Sequence, residues 1–240
     1  MIEFSVLQSQ IALFLTTLDA RKMLNLAVAI QEASADLLDS DPLVLPLPPD
    51  APPEFPRLRL NSSDGYWIFQ VAGTRLDFFY ERSFSQQGME AFEEIVDRQA
   101  QIYSNIWKML QEKYTASGSR IGVIGKFGSS PQNAVQILKS KFMAISDAAE
   151  QHELQLHALH KLSLGGVEIN RWTRCAATKS DSEGGSKNLL RVEIDINTSP
   201  DQPFDLTPVK ILDFINDAKG LILDTMASLF EDKPAGKKVF

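Results

Sequence analysis

The chain predicts an α+β fold: a curved, mainly antiparallel sheet with long helices on one face, built as tandem β-α-β-β-β-α halves. Three observations predict it. Residues 1–116 and 117–240 repeat one order of elements, namely strand, helix, three strands and a closing helix. Each half places an alternating charged strand before that helix, at 74–82 (TRLDFFYER) and 189–198 (LLRVEIDINT). Turn residues separate the strands: Asp64-Gly65 and Gly73 supply the φ > 0 positions that tight hairpins need, and Gly165-Gly166 breaks the strands of the second half. The two halves are expected to form one body.

In the first half, Ile11, Leu13 and Leu15 alternate as a strand does, although Leu7, Ile11, Phe14 and Leu18 also stand at helical spacing. β-branched and aromatic residues with Thr16 and Thr17 favour the strand. Asp19 is the expected N-cap of a helix over 20–38, with Met23, Leu26, Ile30 and Ala33 inward. Residues 41–56 then hold seven of the twelve prolines, which remove backbone donors and fix φ. This segment is neither helix nor central strand. Its Leu43, Val44, Leu45 and Leu47 point to a strap lying across the body, with a ligand for a proline-reading domain as the alternative. Strands follow at 57–62, 66–71 and 74–82, then a helix over 86–114 closed by Gly118.

The second half opens with an apolar strand at 120–127. Ser130 as N-cap and Pro131 at the first helical position start a helix with Val135, Leu138, Phe142 and Ile145 inward. Strands at 154–162, 167–178 and 189–198 are broken by Gly165-Gly166 and a flexible 180–186 loop. Thr207 and Pro208 open the final helix, to about residue 230, and a basic tail covers 233–240.

Composition narrows the function. With 44% hydrophobic residues the chain can bury a real core. A net charge of −7 argues against broad nucleic-acid binding, which needs clustered Lys and Arg, and leaves room only for a local basic patch. The single Cys175 excludes an internal disulfide and fits a reducing cytoplasm. No apolar window reaches the ~18 residues of a membrane span, and the opening segment lacks the basic region of a signal peptide. A cytoplasmic protein without membrane association is expected.

Four groups of residues could carry chemistry. The glycine-rich stretch 122–130 offers an anion cradle at Lys126, Gly128, Ser129 and Ser130, but the P-loop pattern of Lys directly before Ser or Thr is missing, and a plain turn with a capped helix explains it. His152, His157 and His160 fall within nine residues, yet on a strand His157 and His160 point to opposite faces, so no metal site is expected. Glu168, Glu193 and Asp195 share the polar faces of neighbouring strands and could hold Mg²⁺ for phosphodiester chemistry; cross-strand charge pairs solvating an open sheet face explain them as well. Asp77, Glu81, Trp172, Arg174 and Arg191 form the expected interaction face. Cys175 is in phase with Val167 and Ile169, as a buried thiol would be. Nucleophile elbow, paired-Cys and HExxH patterns are missing, and no cofactor is expected.

Asp64, Gly65, Gln70, Arg75, Leu76, Arg120, Gly122, Ile194, Asp195, Phe230 and Glu231 occupy the motif positions of a "DG…Q…drl" hairpin, an "RiGLRY-N" strand, an "l-IDid" strand and a closing Phe-Glu helix end. Over residues 52–231 the chain thereby resembles an uncharacterised, sporadically distributed bacterial protein family. It departs at 1–38 and at 123–127, where the Arg-Tyr and Asn are missing. The resemblance implies an accessory protein near defence or toxin–antitoxin loci and transfers no catalytic residue.

The expected function is therefore a non-catalytic interaction component, accessory or immunity-like, whose partner is another protein or a second copy in a homodimer. The alternatives are an Mg²⁺-dependent nuclease or phosphoesterase, and a small-molecule binder with a cavity between the halves.

Overall fold

Long-range pairing decides the central strand. The opening segment, readable as strand or helix, is strand β1 (Ser5–Thr17), held between two partners distant in sequence. The computed structural model describes residues 2–18, 22–48, 50–83, 90–143, 151–182, 185–202 and 204–230. Asp19, Ile145 and the basic tail lie outside the described residues.

After β1 come α1 (Met23–Ala33), β2 (Leu43–Val44), β3 (Pro56–Asn61), β4 (Trp67–Ala72), β5 (Arg75–Glu81) and α2 (Phe92–Tyr114). The remainder is β6 (Ser117–Ser129), α3 (Ala134–Phe142), β7 (Glu153–Leu164), β8 (Val167–Ser182), β9 (Gly185–Thr198) and α4 (Pro208–Phe230). The nine strands of the described residues form one antiparallel sheet in the order β2-β3-β4-β5-β1-β6-β9-β8-β7. The fold class is α+β. Outward from the β1–β6 pair run β5, β4 and β3 on one side, and β9, β8 and β7 on the other.

Period-two alternation gives the sheet an apolar face. Ile11 pairs with Phe78 on one side and Val123 on the other, and Val123 pairs with Ile196; all four are fully buried. Leu190, Val192, Ile194 and Ile196 face this side together, as their spacing predicts. Helix α2 is seated on it by polar as well as apolar contacts. The buried Gln99 accepts from Ser9 Oγ at 2.5 Å and donates to the Phe78 carbonyl at 3.0 Å, while the Tyr103 hydroxyl donates to Leu76 O at 2.9 Å. Phe92 meets Phe127 with ring centroids 5.1 Å apart. α4 reaches the same face of β8, where Arg171 Nη1 donates to Thr225 Oγ1 at 3.2 Å.

The proline segment behaves as a strap at the sheet's edge. β2 pairs Leu43 with Arg59 and Val44 with Leu58, and the Leu45 N–H donates to Arg57 O at 2.9 Å. Gly73, expected to supply a positive φ, instead allows close approach: its N–H donates to Pro53 O at 2.8 Å, and a Cβ there would stand 3.1 Å from that oxygen. Among the described residues the positive-φ glycines are Gly65, at +77°, and the Gly165-Gly166 pair of the β7–β8 hairpin, at +55° and +82°.

Three local expectations yield to tertiary pairing. Helix α2 ends on Thr115 in the left-handed region (φ 51°), with the Ala116 N–H donating to Leu110 O at 3.2 Å. Gly118 lies beyond it in β6. A Cβ on Gly118 would stand 2.5 Å from Phe14 O and 2.8 Å from Leu206 Cδ1, and both strand and loop are packed. Gly118→Ala is therefore expected to destabilise the fold by about 1–3 kcal/mol, read as a lower melting temperature. An unchanged melt would contradict the packing at this crossing. Secondly, Ser130 and Pro131 do not open α3; β6 pairs through Ser129 with Leu190, and the helix begins at Ala134. Thirdly, the 180–186 loop is narrower than expected, because β8 and β9 stay paired as far as Ser182 and Gly185.

Candidate functional site

Where β1, β5, β6, β8 and β9 bury one face, the intervening residues share the other, and the register sets them in rows. Phe79, Gln10, Ile124, Asp195 and Trp172 form one row across β5, β1, β6, β9 and β8. Glu81, Gln8, Lys126, Glu193 and Arg174 form the next. At ~4.8 Å between strands, each row spans about 19 Å. Asp77, Glu81, Trp172, Arg174 and Arg191, the residues expected to form an interaction face, share this side of the sheet, but Asp77 is buried on it.

In the second half the charged side chains hold one another. Arg174 Nη1 donates to Glu193 Oε1 and stands 3.9 Å from Asp195 Oδ2, while Lys126 Nζ is 3.4 Å from Glu193 Oε2. The Arg174 guanidinium lies 5.2 Å from the Trp172 ring centroid. Arg191, the next polar-face residue along β9, is exposed and sits between Gly128 and Ala176, whose small size leaves space around it. A hollow of about 300 Å³ opens there, lined by Leu7, Lys126, His157, Arg174, Arg191 and Glu193 among others.

In the first half, Phe14 is flanked by guanidiniums, Arg120 at 4.5 Å and Arg75 at 5.9 Å from its centroid. Asp77, 4% exposed, accepts from Gln10 Nε2 and Arg75 Nε, each at 2.7 Å. Burial pushes the Asp77 carboxyl above its ordinary range, against the opposing pull of Arg75 and Gln10. Asp195 is raised too, by burial first, with Glu193 adding to it and Asn197, Arg174 and Arg120 working against it.

A raised carboxyl binds its proton more tightly in the folded chain than in the unfolded one. Its contribution to stability therefore falls as pH rises from 3.8 through the folded value. Asp77→Asn removes that dependence. The variant's melting temperature relative to wild type should be highest at neutral pH and decline as pH falls towards 4. A difference that stays constant across this range would contradict the burial of a charged Asp77.

Other candidate groupings come apart in space. Glu168 is four residues from Trp172, the partner of Asp195, which along a strand is about 13 Å. The supposed Mg²⁺ set of Glu168, Glu193 and Asp195 does not converge, and its two closer members face Arg174 and Lys126. Lys126, Gly128 and Ser129 are strand residues four or more positions ahead of α3, and Ser130 lies between strand and helix, so no helix terminus faces the expected anion cradle. His157 and His160 pair with Arg174 and Arg171 on opposite faces of β7. Among the described residues no group of three His, Cys, Asp or Glu could hold a metal ion. Cys175 is 3% exposed and faces the helix side, where burial pushes its thiol up to about 12; it is a packing residue. A second hollow, of about 440 Å³, lies at the far end, between the β7–β8 turn and the start of α4.

In the sequence Gln10 carries no signal, Phe14 stands only at helical spacing and Arg120 is marked only as a motif position, so none of the three is expected at the site. Their roles depend on the β1–β5 and β1–β6 registers, which join residues more than sixty positions apart.

Fold and face together define an α+β protein built on one nine-stranded antiparallel sheet with a charged, aromatic-backed surface. No family model matches the chain, and no curated protein matches it. No helix among the described residues is long and apolar enough to cross a membrane.

Proposed function

We propose that the chain is a non-catalytic component that recognises another protein through the polar face of its sheet. In this reading two β-α-β-β-β-α halves, the first carrying the short edge strand β2 in addition, meet along β1 and β6. Their helices lie together on the apolar side and leave the polar side for a partner. The strand order outward from the β1–β6 pair supports this, as do the contacts of Gln99, Tyr103 and Thr225 with the apolar face.

One observation carries the reading. Trp172, Arg174, Glu193, Asp195 and Lys126 form a partly exposed patch whose members already fix one another by ion pairs and ring stacking. Fixed side chains lose little rotamer freedom on association, and Trp and Arg are the residues most enriched among binding hot spots. A bacterial setting near defence or toxin–antitoxin loci, as an accessory or immunity-like subunit, is part of the proposal and draws on the family resemblance of residues 52–231.

The test is affinity capture from native host cells with wild type, Arg191→Glu and a helix-surface control, Val209→Glu. Arg191 and Val209 are both exposed, so neither change should lower the melting temperature appreciably. The reading expects a co-purifying protein with wild type and Val209→Glu that is lost with Arg191→Glu. Retention by Arg191→Glu would count against this face.

A further inference from the structure

The sheet has two edges, and they are built differently. At one, β2 is two residues long and continues into Pro46, Pro48 and other prolines, which cannot donate to an added strand. At the other, β7 runs twelve residues, paired with β8 without interruption from Glu153–Thr178 to Leu164–Val167. It holds no proline and no bulge, and no described strand pairs with its outer side. Leu159 and Leu162 on it are 44% and 36% exposed. Proteins ordinarily shorten, bend or block such an edge.

The backbone of β7 says which groups are free. His152 O, just ahead of the strand, accepts from Lys179 N–H at 2.7 Å. In an antiparallel ladder the bonded positions alternate, so even-numbered residues of β7 turn their N–H and C=O towards β8. Residues 153, 155, 157, 159, 161 and 163 turn theirs outward. An added antiparallel copy of β7 must therefore pair odd with odd. β7 carries one carboxylate and one lysine, Glu153 and Lys161, eight residues apart. Antiparallel pairing about His157 sets Glu153 of each copy opposite Lys161 of the other. A shift of two residues leaves both charges unmatched, and a shift of one misaligns the free backbone groups.

We propose that two copies of the chain join edge to edge through β7, antiparallel, with the two-fold axis at His157. The pairing gives about ten backbone hydrogen bonds and continues the sheet across the axis. It covers Leu159 and places the two polar faces side by side.

Light scattering on the full chain after size exclusion tests it. Wild type is expected at twice the 26.7 kDa chain mass. Lys161→Glu sets carboxylates against each other at two places and should weaken the dimer about tenfold at low salt. The double swap Glu153→Lys with Lys161→Glu should restore it. His157→Pro removes an outward N–H at the axis without touching a bond to β8, and should give a monomer. A monomeric wild type at micromolar concentration would overturn the proposal, as would a dimer insensitive to Lys161→Glu.

Discussion

Trp107→Ala is expected to lower the melting temperature more than any other single change considered. Trp107 is fully buried in α2, and its indole Nε1 donates to the Leu206 carbonyl at 2.6 Å. Truncation leaves a cavity worth about 3–5 kcal/mol, and loss of the shorter of the two bonds to the Leu206 carbonyl, which keeps Gln111 Nε2 at 3.3 Å, adds roughly 1 kcal/mol. For a chain of this size that is a drop on the order of 10 °C or more. The bond also ties α2 to the segment leading into α4, whose Lys219 pairs with Asp97 of α2. Trp107→Phe keeps most of the packing and loses the donor, so it should fall between the two. A Trp107→Ala melt within about 2 °C of wild type would contradict the packing of these helices.

The second large effect concerns binding. Trp172→Ala removes the ring on which Arg174 rests and opens the centre of the polar patch. Hot-spot truncations of this type lose about 2 kcal/mol or more, which is roughly 30-fold in Kd. Because Trp172 is only half-buried and lies on the side away from Gln99 and Tyr103, its loss should shift the melting temperature far less than that of Trp107. Equal affinity for the partner by wild type and Trp172→Ala would remove Trp172 from the interface.

Local pattern carried much of this fold. Alternation at Leu190, Val192, Ile194 and Ile196 placed four core residues correctly, and the same alternation put Glu193 and Asp195 on the opposite face. The phase of Cys175 with Ile169 correctly made it a buried thiol. Prolines marked the strap, since a donor-poor segment can only lie at an edge. Local pattern failed where a distant partner decides. Ser130-Pro131 has the chemistry of a helix start, yet pairing of Ser129 with Leu190 draws the strand onward and delays the helix. Gly118 resembled a helix stop because its actual constraint, the carbonyl of Phe14, lies a hundred residues earlier. Among the site residues, shared parity put Glu168 with Glu193 and Asp195, but parity fixes a face and leaves the position along the strand to the register. Phe14 between two guanidiniums had no local signature at all.

Site-specific photocrosslinking in native host cells tests directly whether the polar face of the sheet binds a partner. A photoreactive phenylalanine analogue would replace Gln8, Phe79 or Trp172 on the polar face, and Leu24, Val28 or Val209 on exposed helix surfaces. The polar-face positions should crosslink one common protein, and the helix positions should not. Crosslinks to that protein from the helix positions alone, or none from the polar face, would contradict the assignment of this face as the binding surface.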